Sequence, residues 1–504
     1  MAFTFHWSDY LIFALLLVVY ALIGIYQRFH DPIVRKLNRL CCNEKWKLKE
    51  HSLSDNTAEA LTLGNRRLTL FPIMSSVMAS FLSAVSLMGT ASEAYLYGIQ
   101  FVLMIVAYCI GFPVAAEVYM PVFYKLHLVS AHEYLELRFG QCVRWTTSIV
   151  YCVQMIVYIA LALYAPALAF SQVSGLPIWI SVLSTGLVTT FYTALLAHFV
   201  LTLYFWEMCG LMHTIATMNS VSVHFSADPN PFKRHTIWTL MIGGAGMILS
   251  IYATNQTQVQ RYLACRDLRT ARLTVSAGIN SLATALLVDI VRPFLLFVRK
   301  REISEHTRTL LAVLFSIIVG LCTISISFVF MVMGPRVLQF AFSLFGAVGG
   351  PILAVFTLGM VIPCVNWQGA LGGLICSLTV GLGLTVGGIL HPNPSSVLPL
   401  STENCTTEFN SSLVVNLKTV DQQWNIFSLS YLYYTLVCVC AAIVVAIPIS
   451  AIFNFNSKHL VPGQLLAWQT RAFYRRLPSC LPKQWEEKAD IQPRDEDNDP
   501  YHSS

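Results

Sequence analysis

An all-α, polytopic membrane fold is what this sequence predicts, and three observations predict it. The 504-residue chain is 56% hydrophobic and only 12% charged, with a mean hydropathy of +0.61, whereas soluble domains carry about 25% charged residues. Apolar runs of roughly bilayer length recur about eleven times along the chain. Basic residues gather in particular linkers between those runs, as the sidedness of membrane insertion requires.

The elements follow in order. Tyr10–Tyr26 has no basic segment before it and no small-residue cleavage site after it, so it reads as a retained span rather than a signal peptide. The linker from Arg28 to Lys49 is densely basic and is expected in the cytoplasm, which puts the N-terminus outside. Within it, Cys41 and Cys42 follow the basic segment and suit palmitoylation. Further spans are expected at Phe71–Gly89, Phe101–Phe123, Trp145–Phe170, Pro177–Leu196 and Ile237–Ala253. Leu273–Val291, Thr309–Met333, Val337–Pro363, Ala370–Leu390 and Phe427–Phe453 complete the set, and His198–Met212 is ambiguous. The linker from His391 to Asn425 has two acceptor sequons, at Asn404 and Asn410, and little positive charge; it is expected to be extracellular and glycosylated. A third sequon at Asn255 abuts a span and is expected to stay unmodified. Residues 1–456 form the transmembrane unit. Residues 457–504 mix Arg475, Arg476 and Lys483 with an acidic run, Asp495–Asp499, and read as a solvated, partly disordered cytoplasmic tail. One conflict remains: Arg261, Arg266, Arg269 and Arg272 precede the Leu273 span, Arg299–Arg308 follow it, and both flanks ask for the cytoplasm.

Several function classes drop out. No HExxH, GxSxG or phosphate-loop pattern occurs, and His132–Glu133 lacks the second histidine of a zinc helix. The fourteen cysteines are scattered without a CxxC pair and read as small buried hydrophobes. Nothing points to nucleic acid or to an organic cofactor.

Polar residues inside spans remain as candidates, because hydrocarbon offers them no water. Ser76, Ser80 and Ser83 recur at i, i+4, i+7 and share a helix face. A serine-rich helix of this kind can unwind locally and offer oxygens to a small hard cation. Ser276, Asn280 and Thr284 form a second oxygen-lined face far away in sequence. Glu117, Gln154, Gln256 and Gln258 are further pathway candidates. Glycine clusters at Gly243–Gly244, Gly349–Gly350 and Gly381–Gly388 indicate close helix packing or broken helices.

Six blocks in order, "ASFLSAVSLMGTASEAYLYG", "PVFYKLHLVSAHEYLELRFG", "YAPALAFSQVSGL", "NQTQVQRYLACR", "SLFGAVGGPILAVFTLGMVIP" and "SLSYLYY", resemble the sodium:solute symporter family. The branch they are most similar to holds monocarboxylate, multivitamin and iodide transporters, and the resemblance runs from Tyr10 to about Val461. It implies an inverted-repeat, LeuT-like core with sodium and substrate near the midplane, and symport of a small organic anion across the plasma membrane. Carried over by position, sodium would be held by Ser80, Ser83, Thr274 and Ser276, with Leu273 where the family has another hydroxyl. Ser86, Gln256, Gln258, Asn280 and Phe345 would lie nearer the substrate. Two departures stand out. After Phe191–Ala194 the family's Gly-Gly turn and its aspartate-bearing helix are missing, and after Arg272 a loop and a full helix are missing. A shortened, transport-deficient isoform is therefore one alternative expectation, and a multivitamin- or iodide-type substrate is the other.

Overall fold

The computed structural model describes residues 84–126, 128, 130–195, 226–265, 268, 305–333, 337–390, 425–453, 461–476 and 485–486. Twelve helical segments organise them. They are α1 Ala84–Tyr97, α2 Gln100–Lys125, α3 Ala131–Phe139, α4 Gln141–Ser174, α5 Ile178–Leu195 and α6 Thr239–Tyr252. The rest are α7 Gln256–Leu263, α8 Glu305–Met333, α9 Leu338–Val361, α10 Trp367–Leu390, α11 Tyr434–Ile452 and α12 Trp468–Arg475. The expected runs from Phe101 to Leu196, at Ile237–Ala253, and from Thr309 to Phe453 thus fold as helices. The Tyr10, His198 and Leu273 runs, the Phe71 run up to Ser83, Arg266, Arg269, Arg272 and the sequon linker lie outside the described residues, while Arg261 lies in the last turn of α7.

Among the described residues, five helices are long and apolar enough to cross a bilayer: α2, α4, α9, α10 and the stretch Tyr431–Ile452. Ile105, Val153, Val329, Val386 and Val444 are exposed on the outer surface of the bundle. A belt of bare aliphatic side chains is what hydrocarbon solvates and water does not.

Local chemistry sets the breaks. Pro113 has no N–H to give the preceding turn, and a π-helical turn, Ala115–Tyr119, follows it inside α2. In α9 the π turn Phe345–Gly349 lies just ahead of Pro351, which leaves the carbonyl of Ala347 without its usual donor. Gly140, at φ +100°, ends α3 and turns the chain into α4 in a conformation that a Cβ would strain.

Antiparallel packing joins α10 to α11 and α5 to α8, while α4 threads the centre against α8, α5 and α3. The largest core cluster fills one end of the bundle, from Phe123, Tyr134 and Leu135 to Phe356 and Met360. Buried Val461, Leu465, Leu466 and Ala467 belong to that same cluster. This corrects the expectation of a solvated tail for its first part. Tyr134 donates to the carbonyl of Leu465 (3.0 Å) and Ala467 N–H donates to that of Met360 (3.1 Å), so residues 461–476 plug this end of the bundle.

Candidate functional site

The α1 helix carries a polar stripe. Ser86, Thr90, Glu93 and Tyr97 recur at i, i+4, i+7 and i+11 on one face. Thr90 donates back to the carbonyl of Ser86, as a hydroxyl in hydrocarbon must when no water is present. Gly89 lets α1 approach α9 closely: a Cβ there would meet Leu338 at 2.6 Å.

A clasp closes the α1 stripe at one end of the bundle. Arg234, in the segment before α6, pairs with the carboxylate of Glu93; the two side chains are 12% and 6% exposed. Its other terminal nitrogen donates to Gln339 Oε1 on α9 (2.8 Å). The guanidinium lies over the rings of Tyr97 (4.1 Å) and Tyr431 (5.2 Å), where the π faces attract it. Its backbone carbonyl accepts from Ser430 Oγ (2.8 Å), and the carbonyl of Pro231 accepts from Ser430 N–H (3.1 Å). One residue thereby ties α1, α9 and the entry to α11 together. His235 sits beside it, 2.9 Å from the Tyr431 hydroxyl and 3.9 Å from Glu93. Burial first, and the Arg234 charge second, push its imidazole down to about 3, so it is neutral at working pH. A cavity of about 80 Å³ adjoins the clasp, lined by Arg234, Gln339, Ser343, Thr385, Tyr431 and Tyr434 among others.

A second polar cluster lies deeper. Phe345, in the π turn of α9, packs edge-on against Tyr158 of α4 (4.9 Å between centroids), and its carbonyl accepts from Ser250 of α6 (3.3 Å). Gln154, one turn from Tyr158, is buried beside Gly349; a Cβ there would meet its amide nitrogen at 3.0 Å. Two helices, α4 and α6, thus direct polar groups at the π turn of α9.

The opposite end is held by Arg138. It is buried, and it donates to the carbonyls of Gly359 (3.2 Å), Ile362 (3.4 Å), Pro363 (3.1 Å) and Val365 (3.1 Å). These lie at and just past the end of α9, where helical carbonyls lack partners and negative dipole accumulates. Burial lowers the guanidinium to about 10, still well above working pH, so it stays charged.

The sequence-predicted residues divide between these places. Ser86 lies on the α1 stripe, two helical turns from Glu93, and α1 packs on the α9 segment that leads to Phe345. Gln256 is elsewhere: its Oε1 accepts from Ala131 N–H (2.6 Å) and so caps the start of α3. Its neighbour Asn255 is buried, caps α7 by accepting from Thr257 N–H (2.9 Å), and meets Tyr151 (3.3 Å). Tyr151 and Tyr158 are seven residues apart on α4, so the glutamines lie roughly 10 Å along the helix axis from Phe345. Gln258 is buried with them. Ser80, Ser83, Thr274, Ser276, Asn280, Asn404 and Asn410 lie outside the described residues.

Sequence reasoning missed Glu93, Arg234, His235 and Tyr431. Glu93 was within reach, because it continues the Ser86 stripe at i+7. Arg234 and His235 sit in an unpatterned linker, and nothing local marks their partners.

The sodium:solute symporter family model matches residues 61–204. Over 96% of this chain the sequence is 29% identical to "Sodium-coupled monocarboxylate transporter 1" of Xenopus laevis, covering 92% of that protein. It is 30% identical to "Sodium-dependent multivitamin transporter" of Oryctolagus cuniculus over 96% of this chain and 88% of that one. The fold is similar to that of a Na+-coupled sialic acid symporter solved in a substrate-bound outward-open state. The TM-score there is 0.63 at 17% identity, over 89% of this chain and 98% of that one. The alignment with the Xenopus laevis protein runs over 600 residues, more than this chain has, so it opens gaps within this chain.

Proposed function

The chain belongs to the sodium:solute symporter family, and from that premise we propose that it carries a small, monocarboxylate-like organic anion across the plasma membrane, driven by sodium. Sodium is the coupling ion. The observation that carries the solute pathway is the α1 stripe, which starts at Ser86 and ends in the Arg234 clasp. In this reading Ser80 and Ser83, just before α1 in sequence, hold sodium with Thr274 and Ser276. Ser86, Asn280 and Phe345 face the solute. Gln256 is assigned to capping α3, which its bond to Ala131 supports, and Gln258 packs beside it.

A sodium ion at the base of α1 biases the tilt of that helix, and the clasp transmits the bias to α9 and α11. Coupling of this kind is reciprocal: the solute must favour sodium binding by the same factor as sodium favours the solute. The Arg234 and Arg138 ends then release in turn.

The orientation follows from charge. Lys125, Arg138, Arg144, Arg261, Arg471 and Arg475 lie at the Arg138 end, against Lys233 and Arg234 at the other. We assign the Arg138 end to the cytoplasm and the N-terminus to the outside.

Uptake of labelled lactate, nicotinate or biotin into cells expressing the chain, with sodium replaced by choline, tests the function. Uptake is expected in sodium and at background in choline; equal uptake in both overturns the reading. The gaps in the alignment favour a second reading, a shortened relative that does not transport. Normal surface labelling with no sodium-dependent uptake of any of these solutes would select it.

A further inference from the structure

The α12 helix, Trp468–Arg475, exposes both large aromatic side chains and arginines. Trp468 is 50% exposed and Phe473 63% exposed, while Arg475 and Arg476 are also exposed. Trp468, Arg471 and Arg475 recur at i, i+3 and i+7, and the buried Thr470 points the other way. The helix is firmly mounted. Gln469 donates to the carbonyl of Glu117 (2.8 Å), and the plug of residues 461–467 fixes its start. Glu117 lies about two turns from the Lys125 end of α2, so the start of α12 is fixed beside the last turns of that span.

Aromatic rings and arginines near the end of a span match two features of a bilayer: the amphipathic boundary that holds Trp, and the negative charge of its headgroups. Anionic headgroups attract such a surface through each basic residue near it. We propose that α12 is a docking surface for anionic phospholipid headgroups. The occupant bears on Arg138 as well, since Ala467, the residue before α12, donates to Met360, next to the Gly359 carbonyl that Arg138 holds. This inference rests on the membrane-spanning reading and not on which solute is carried.

The test uses the full chain, extracted and equilibrated with mixed micelles holding phosphatidylcholine and phosphatidylserine in equal amounts. After repurification the retained lipids are counted by mass analysis. The wild type is expected to enrich phosphatidylserine several-fold over the supplied ratio. R471Q/R475Q/R476Q is expected to fall back to that ratio, while R471K/R475K/R476K keeps most of the enrichment. No enrichment by the wild type overturns the proposal, and so does undiminished enrichment by the glutamine variant. A lysine variant that loses as much as the glutamine variant also overturns it, because the arginines would then act through folding rather than charge. The readout needs no transport, so failure of solute uptake counts against the function proposed above and not against this surface.

Discussion

Arg234 and Glu93 are two charges taken out of water, and their worth lies in each other. Breaking one partner strands the other, which costs about 3–5 kcal/mol at a buried site. Glu93→Gln and Arg234→Gln are each expected to abolish most sodium-dependent uptake. The reversal E93R/R234E is expected to restore part of it, because both partners change sign together. A double-mutant cycle on uptake, normalised to surface protein, should give a coupling of about 1–3 kcal/mol; additive effects would show that the pair does not act as a unit. Beside them His235 makes a pH prediction. Its folded pKa of about 3 lies below the unfolded value of about 6.5. The unfolded chain therefore binds more protons between those values, and stability from this group is full above about pH 6.5 and is lost as pH falls towards 3. The unfolding midpoint of detergent-purified protein should drop over that window, and more steeply than in His235→Gln. Equal slopes would remove His235 from the account. Tyr97, Glu93, Arg234 and Tyr431 all face this ring, so the comparison with the variant is what isolates it.

The α9 helix is held at both ends by arginines from elsewhere. Arg138 satisfies four carbonyls at and beyond its end, and hydrogen bonds from a charged donor are worth about 1.5–3 kcal/mol each when a buried partner would be stranded. Arg138→Met is expected to lower the unfolding midpoint markedly. Arg138→Lys should recover little, because one ammonium cannot span the fork's targets; full recovery by Lys would point to charge alone. Gly359 sits under Tyr134, where a Cβ would meet the hydroxyl at 2.8 Å, so Gly359→Ala is expected to destabilise by about 1–3 kcal/mol. The helix itself was legible in the sequence: an unbroken apolar run fixes its existence and its ends to within two or three residues. Its π turn was not, although Gly349, Gly350 and Pro351 marked the place. The four carbonyl partners of Arg138 lie more than two hundred residues away in sequence, and no local pattern carries that distance.

At the scale of the whole molecule, membrane class and family were legible from composition and from motif blocks, because hydrocarbon constrains every span alike. The glutamines are instructive. A polar residue near a span is equally suited to a solute site and to a helix end that lacks donors or acceptors, and Gln256 serves the second. The tail was read from its charge, yet Val461, Leu465 and Leu466 were already apolar enough to seek the core. Orientation makes the prediction that belongs here. Glycosidase treatment of the expressed protein should sharpen and lower its band through Asn404 and Asn410, and N404Q/N410Q should show no further shift. An unshifted wild type would place that linker inside and reverse the assignment of both ends.

The π turn at Phe345–Gly349 has a consequence of phase. A π turn is one residue longer than an α turn, and each residue advances a helix by about 100° and 1.5 Å. Deleting Ala347 would return the turn to regular α geometry without exposing a single polar side chain. Everything beyond would keep its phase, because the α turn closes the same full turn with one residue fewer, so Gly359 should stay under Tyr134 and its carbonyl within reach of Arg138. The extra residue therefore serves the turn itself, where Phe345 meets Tyr158 and Ser250, and leaves the clamped end in register.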